Sequence, residues 1–452
     1  MAGTWKAQNK KRPGAYINVV GNGKPLSDSP IGRLLMINNV KLGWGRTGVI
    51  PLTGVSDFRA ELGHKLDDPT IRFIKEALKG AETVLFINTN DGTKATGTAE
   101  TSPWNFTAKY PGEIGNNLQV SIEAIPEKAG GDAKRATVTT LFGTSIVEQV
   151  VIRLDQVAEY TGNDYLEAEV NSGVSKFPTS PVTVKMTGGT TTQRELTDMI
   201  DDALDNENYA VATTAGMETT SNVHSLLVES IKRLRENEGV KVRAVIPVDE
   251  SAPVYNYEGV TTVANGFIEG DGTKISTTDA TAFFAGISAS ANEGESLTYY
   301  DVSDAIEAYP RLNNEKTIEA LDKGQVVFTT RPGQRVVVEE DINSLVKFTV
   351  NRPYAFRKNR VVRAVDEICR NTADVFERQF LGKVANNANG RDVFEANRVS
   401  YLVELQNKNV IQDFDTTDIK VSAGESIDSV VVDLAVKPVD AMEKLYMTLT
   451  VN

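Results

Sequence analysis

"PTIRFIKEALKGAETVLFIN", Pro69 to Asn88, sets a helix and a strand side by side. Ile71, Ile74, Ala77 and Leu78 recur at helical spacing, so they share one face. Gly80 is the expected stop. "TVLFIN" (Thr83–Asn88) is a short, unbroken apolar run, which reads as a strand buried on both faces. A helix feeding such a strand is part of a βαβ unit, and a unit of that kind needs neighbours.

The neighbours lie on both sides. "RLLMIN" (Arg33–Asn38) is a strand upstream. Downstream, Thr192-Gln193-Arg194-Glu195 has the spacing of a capping box and predicts a helix to about Leu204. "NYAVATT" (Asn208–Thr214) and "VKVRAVIPV" (Val240–Val248) are strands. A helix over 218–237 separates them, with Val223, Leu226, Leu227, Ile231 and Leu234 on one face. "DATAFFAGISAS" (Asp279–Ser290) is a helix of small residues suited to close packing. Residues 31–90 plus 190–335 therefore predict one parallel α/β sheet domain with right-handed crossovers.

Between them the rhythm breaks. Residues 91–189 are rich in Thr, Gly and β-branched residues and carry almost no helical period. They predict an inserted β-sandwich-like module. From 336 to 452 a separate α+β domain is expected, with one long helix over 357–387, a second over 392–407, and strands near 418–423 and 430–436. The chain closes on "LYMTLTV", Leu445 to Val451, again at period two. That last strand can close a hairpin on Val430–Val436 of its own chain, or add to another chain's sheet. "GAYINVV" (Gly14–Val20), in an N-terminal arm over 1–30, is likewise a strand without a nearby partner.

Composition excludes several kinds of chemistry. One cysteine, Cys369, allows no intramolecular disulfide, and with two histidines it cannot build a usual zinc site. The start lacks the apolar run of a signal peptide, and no stretch approaches the roughly 20 apolar residues of a membrane span. Net charge is −13, which argues against non-specific nucleic-acid binding. From Ile342 to Val365 there is nevertheless no acidic residue, while Lys347, Arg352, Arg357, Lys358, Arg360 and Arg363 occur there. This is either a solvated face or a docking surface for an acidic partner.

Catalytic motifs are weak. Gly43-Trp44-Gly45-Arg46-Thr47-Gly48 has the G-x-G-x-x-G form and follows a strand, but no helix opens behind it to receive a pyrophosphate. It reads as a Gly-rich turn. His224 is expected on a helix surface, and Cys369 as a buried, inert thiol on the long helix. No catalytic residue, cofactor or metal is expected.

Four segments carry a resemblance. "KRPGAYINV" (Lys11–Val19), "TRPGQRVVVEEDINSLVKFT" (Thr330–Thr349), "KNRVVRAVDEI" (Lys358–Ile368) and "VKPVDAMEKLYMTLTV" (Val436–Val451) resemble contractile tail sheath proteins in order and spacing. That family occurs in phages and phage-tail-like bacteriocins, and the likeness is to the compact sheaths of Gram-positive hosts. The resemblance implies a structural subunit, assembled in the bacterial host cytoplasm into a virion tail or tail-like particle. Its subunits form hexameric rings stacked around an inner tail tube, with baseplate and tail-terminator proteins as further partners. There is no direct contact with nucleic acid and no membrane insertion. Arms exchanged between subunits then assign Tyr16, Ile17, Asn18, Val19 and Val20, and Leu445, Tyr446, Met447, Thr448, Leu449, Thr450 and Val451, to subunit interfaces. The six basic residues become candidates to face the tube. A baseplate or capsid-associated protein, and a cytoplasmic α/β enzyme, are the competing classes.

Overall fold

The computed structural model describes residues 29–126, 133–333 and 335–451. The proposed N-terminal strand at Tyr16–Val20 lies outside them.

Seven strands form the central sheet. Their order is Gln325–Val326, Val260–Val263, Arg243–Pro247, Val211–Thr213, Arg33–Met36, Thr83–Asn88 and Gly48–Leu52. All neighbours run parallel except the last pair. Pro51 is tolerated because its strand is the sheet's edge. Alternate side chains of each strand feed two separate cores. Leu34, Met36, Val84 and Phe86 enter one, and Leu35, Ile37, Leu85 and Ile87 enter the other. That is why these strands read as unbroken apolar runs. Helices Arg72–Leu78 and Thr277–Ser290 supply side chains to the first core, and Thr197–Asn206 and Val223–Asn237 to the second.

Small residues bring the first two helices together. A Cβ on Gly286 would sit 2.2 Å from the carbonyl oxygen of Ala77, and one on Gly80 would sit 2.3 Å from the amide nitrogen of Ile287. Gly80 therefore does more than end a helix: it lets a second backbone pass.

Residues 90–193 form two four-stranded antiparallel sheets. One has the order Val182–Lys185, Leu118–Ile125, Arg135–Phe142, Ser145–Arg153. The other has the order Thr190–Gln193, Asn90–Gly97, Trp104–Pro111, Leu166–Val170. They share a core around Trp104, Phe106, Leu118, Val120, Ile122 and Val138. The predicted capping box is overturned here. Thr190–Gln193 is a strand on Asn90–Thr93, and the helix starts only at Thr197. Three consecutive threonines fit a strand better than a helix start once a partner edge is present.

The Gly43–Gly48 turn is the joint between this module and the sheet. Trp44 is buried in the module's core, edge-on to Tyr110 at 5.6 Å and Phe142 at 6.4 Å. Its indole N–H donates to the Ala60 carbonyl at 2.7 Å. Gly45 holds φ +92°, and its carbonyl accepts from the Asn90 amide at 2.9 Å.

The C-terminal boundary shifts. Val336, Val338 and Ile342 belong to the sheet's own core, and the separate C-terminal core gathers around Ala364, Ile368, Leu402, Leu405 and Ile419. The expected single helix over 357–387 ends at Val375 and passes through a wide turn, Phe376–Phe380, whose two Phe rings pack on Phe394 at 5.6 and 4.8 Å. The next helix starts earlier than expected, at Ala388, with Asn387 capping the Gly390 amide. Val430–Leu434 pairs with Ile419–Ala423. Leu445–Val451 forms no ladder with any described residue, so the hairpin within the chain is not what the segment makes.

The close helix crossing yields a test. Gly286→Ala gains about 1 kcal/mol of helix propensity but drives a methyl into the Ala77 carbonyl. A net loss of about 1–2 kcal/mol in urea unfolding is expected. Unchanged stability would mean that the helices part easily.

Candidate assembly interface

The basic stretch is mostly not a surface. Lys347 is exposed. Arg352 pairs with Glu236 at 2.7 Å and Glu258 at 3.3 Å, and lies over the Tyr257 ring. Arg357 is buried and donates to the Leu321 carbonyl. Lys358 is buried between the carboxylates of Glu340 and Glu443. Arg360 is half-buried and donates to the Asn409 carbonyl at 3.4 Å. Arg363 is buried on Asp341 at 2.5 Å and the Glu295 carbonyl at 2.7 Å. This corrects the expectation of six tube-facing cations: Arg357, Lys358 and Arg363 cannot face a partner in this conformation. Their acidic and carbonyl partners lie outside the stretch, Glu340 and Asp341 just before it and Glu236, Glu258, Glu295, Leu321, Asn409 and Glu443 further off, so a count within it does not register them.

These contacts form one hub at the start of helix Asn359–Val375. Asp341 accepts from the Leu297 amide at 3.0 Å, the Asn359 side chain at 2.9 Å and Arg363. Burial works against its charge, but Arg363 and these donors hold the carboxyl below its usual range. One turn on, Asp366 takes both guanidinium nitrogens of Arg235 at 2.7 Å. Burial opposes the Arg235 charge too, and Asp366 outweighs it, so its pKa is raised. Two buried ion pairs thus tie the long helix to the sheet domain.

What remains exposed near Lys347 is apolar. Val350 is 98% exposed at the tip of a turn in which the Thr349 amide donates to the Arg352 carbonyl. Phe348 and Tyr354 flank it, edge-to-face at 5.2 Å. Contiguous exposed apolar groups of this kind mark contact sites.

The second exposed element is the C-terminal segment. Leu445, Tyr446, Met447, Leu449 and Val451 are 76–89% exposed, and Thr448 and Thr450 are exposed with them. The hairpin Ile419–Ala423/Val430–Leu434 has two outer edges. On one, the Glu395 carboxylate accepts from the Val421 amide at 2.9 Å. On the other, alternate amides and carbonyls of Val430–Leu434 point away from the ladder and have no partner among the described residues.

The catalytic candidates dissolve on inspection. His224 is buried, not on the surface. Its Nε2 donates to the Glu218 carbonyl at 2.8 Å, so its Nδ1 accepts from the Thr214 hydroxyl at 2.6 Å. Burial pushes the imidazole below its ordinary value, against the Glu218 carbonyl, so it stays neutral. Thr214 is also fully buried, and no substrate reaches the pair. Cys369 is exposed rather than buried, because it falls on the outer side of its helix. Among the described residues no cluster of His, Cys, Asp and Glu is placed to hold a metal ion, and no helix is long and apolar enough to cross a membrane.

Comparisons with known proteins agree on one family. Family models described as phage tail sheath protein beta-sandwich domain, central domain and C-terminal domain match residues 90–197, 176–344 and 352–452. Protein YqbK of Bacillus subtilis is 30% identical over 90% of this chain and 91% of its own length. The phage-like element PBSX protein XkdK, also of Bacillus subtilis, is 29% identical over 98% of both. The crystal structure of a sheath tail protein from Desulfitobacterium hafniense superposes with a TM-score of 0.77 at 29% identity, covering 96% of this chain and 99% of its own.

The buried pair gives a test of what joins the two domains. Arg235→Met strands Asp366 in the interior and is expected to cost about 3–5 kcal/mol. Arg235→Met with Asp366→Leu removes both charges and is expected to cost far less. Chemical denaturation of the single and double variants measures the difference, and equal losses would show that packing, not charge, sets the cost.

Proposed function

The chain belongs to the phage tail sheath family, and from that premise we propose how this subunit assembles. It is a structural protein rather than an enzyme, and a component of a phage tail or phage-tail-like particle. Subunits form hexameric rings that stack around an inner tail tube, bounded by baseplate and terminator proteins. Contraction of the stack drives the tube through a cell envelope. The particle assembles in the bacterial host cytoplasm.

The observation that carries this reading is the C-terminal segment. It has the alternation of a strand, and it finds no strand partner among the described residues of its own chain. Burying Leu445, Met447, Leu449 and Val451 is worth about 1.5–3 kcal/mol each. Ordering its seven backbone residues costs about 1–2 kcal/mol each. The two nearly cancel, so one arm settles only on a receiving edge, and many arms together hold a stack. The open edge at Val430–Leu434 suits such a strand. The N-terminal strand at Tyr16–Val20 plays the same part. Residues 91–189 face outward. The tip around Lys347, Phe348, Val350 and Tyr354 replaces the basic patch as the surface turned to the tube, with Arg352 and Arg360 behind it.

Electron microscopy of the purified chain tests the assembly. Deleting 444–452, or separately 1–20, is expected to leave a soluble, folded subunit that builds no tubes. Replacing 91–189 with a short linker, together with Trp44→Ser to spare an exposed indole, is expected to leave tubes narrower but intact. Normal tubes from both arm deletions would exclude strand exchange.

A further inference from the structure

The C-terminal arm does not leave the subunit freely. The Val439 amide donates to the Val410 carbonyl at 3.0 Å, the last backbone–backbone tie among the described residues. Asp440 and Met442 are exposed, Met442 completely. Glu443 then turns back in. Its carboxylate receives the Lys358 ammonium and, at 2.8 Å, the Thr298 hydroxyl, and its side chain is only 13% exposed. From Lys444 to Val451 every side chain is exposed.

We propose that Glu443 is the positioning residue of the C-terminal arm: its clasp on Lys358 and Thr298 sets where, and in which direction, the exchanged strand departs. This rests on the strand-exchange reading above.

Three features fit that role. The clasp is joined to the hub, since the Thr298 hydroxyl also accepts from the Asp341 amide at 2.9 Å. The direction of the arm is thereby tied to the position of the long helix. Second, Lys358 stands at the N-terminal end of that helix, where the helix dipole disfavours a cation. It therefore favours anions beside it, and Glu443 adds a second carboxylate to that of Glu340. Third, the clasp can open without stranding a charge. If Glu443 leaves, Lys358 keeps the carboxylate of Glu340. Among the described residues Arg363 has no second carboxylate in contact, so the pair with Asp341 stays shut while Glu443 can let go. The arm beyond it, the nine residues 444–452, would span about 30 Å if extended. A small change of angle at the clasp is multiplied over that length.

The test uses the full chain with Glu443→Ala and the conservative Glu443→Asp. Thermal unfolding is expected to change little in both, because Lys358 keeps the carboxylate of Glu340 when Glu443 is gone. Amide hydrogen exchange at 439–443 in the unassembled subunit is expected to rise about tenfold in Glu443→Ala, the loss of a hydrogen bond to a charged group. Exchange at 359–363 should stay as it was. Tube formation by Glu443→Ala is expected to need about tenfold more protein, and Glu443→Asp to recover most of the difference. Unaltered exchange at 439–443 would overturn the clasp. Faster exchange with unaltered tube formation would overturn its positioning role alone. Normal tubes from the chain ending at Glu443 would instead overturn the exchange of the arm itself.

Discussion

Asp341 is a carboxylate with almost no access to water, and the C-terminal half of the chain is arranged around its need for donors. Arg363, the Asn359 amide and the Leu297 N–H meet that need, and they come from two different segments. A buried charge in this position adds little net stability compared with a well-packed apolar group. It is intolerant of displacement, however, because each donor lost leaves a charge unpaired. With Arg235 and Asp366 one turn further along, it fixes the long helix on the sheet domain in one register.

The sheet domain itself is held differently. Its strands feed two dry cores, and its helices pack at glycines where a methyl group would meet backbone atoms. Such contacts are short-range and have no alternative arrangement. The molecule thus combines a rigid body with a terminal segment that has almost no contacts of its own. A subunit that must keep hold of its neighbours while bodies move needs that division. In the strand-exchange assembly proposed above, the body would transmit force and the arm would supply length and freedom. The link between them is the largely buried Lys358–Glu443 pair, which can part because Lys358 keeps the carboxylate of Glu340.

The family relation explains why no enzyme site is found where catalytic motifs invite one. In the G-x-G-x-x-G turn, Gly45 at positive φ passes the Glu61 carbonyl, and Trp44 fills the module's core. His224 and Thr214 complete each other's hydrogen bonds in the interior. Both have the residue types of chemistry and the geometry of packing.

From sequence alone, the strands at Arg33–Met36, Thr83–Asn88 and Arg243–Pro247 and the helix at Thr277–Ser290 were legible, because period and composition are local properties. So was the strand-like alternation of Leu445–Val451. What tertiary structure decided was every question of partnership. Thr190–Gln193 became a strand because Asn90–Thr93 offered an edge. The stretch from Lys347 to Arg363 held no acid of its own, yet Glu236, Glu258, Glu340, Asp341 and Glu443 were brought to it. The single helix over 357–387 broke where Phe376 and Phe380 turned in to meet Phe394. Spacing along the chain records which face a residue occupies, but charge pairing and strand pairing act through space between segments the chain order keeps apart. Only the fold brings those partners within reach.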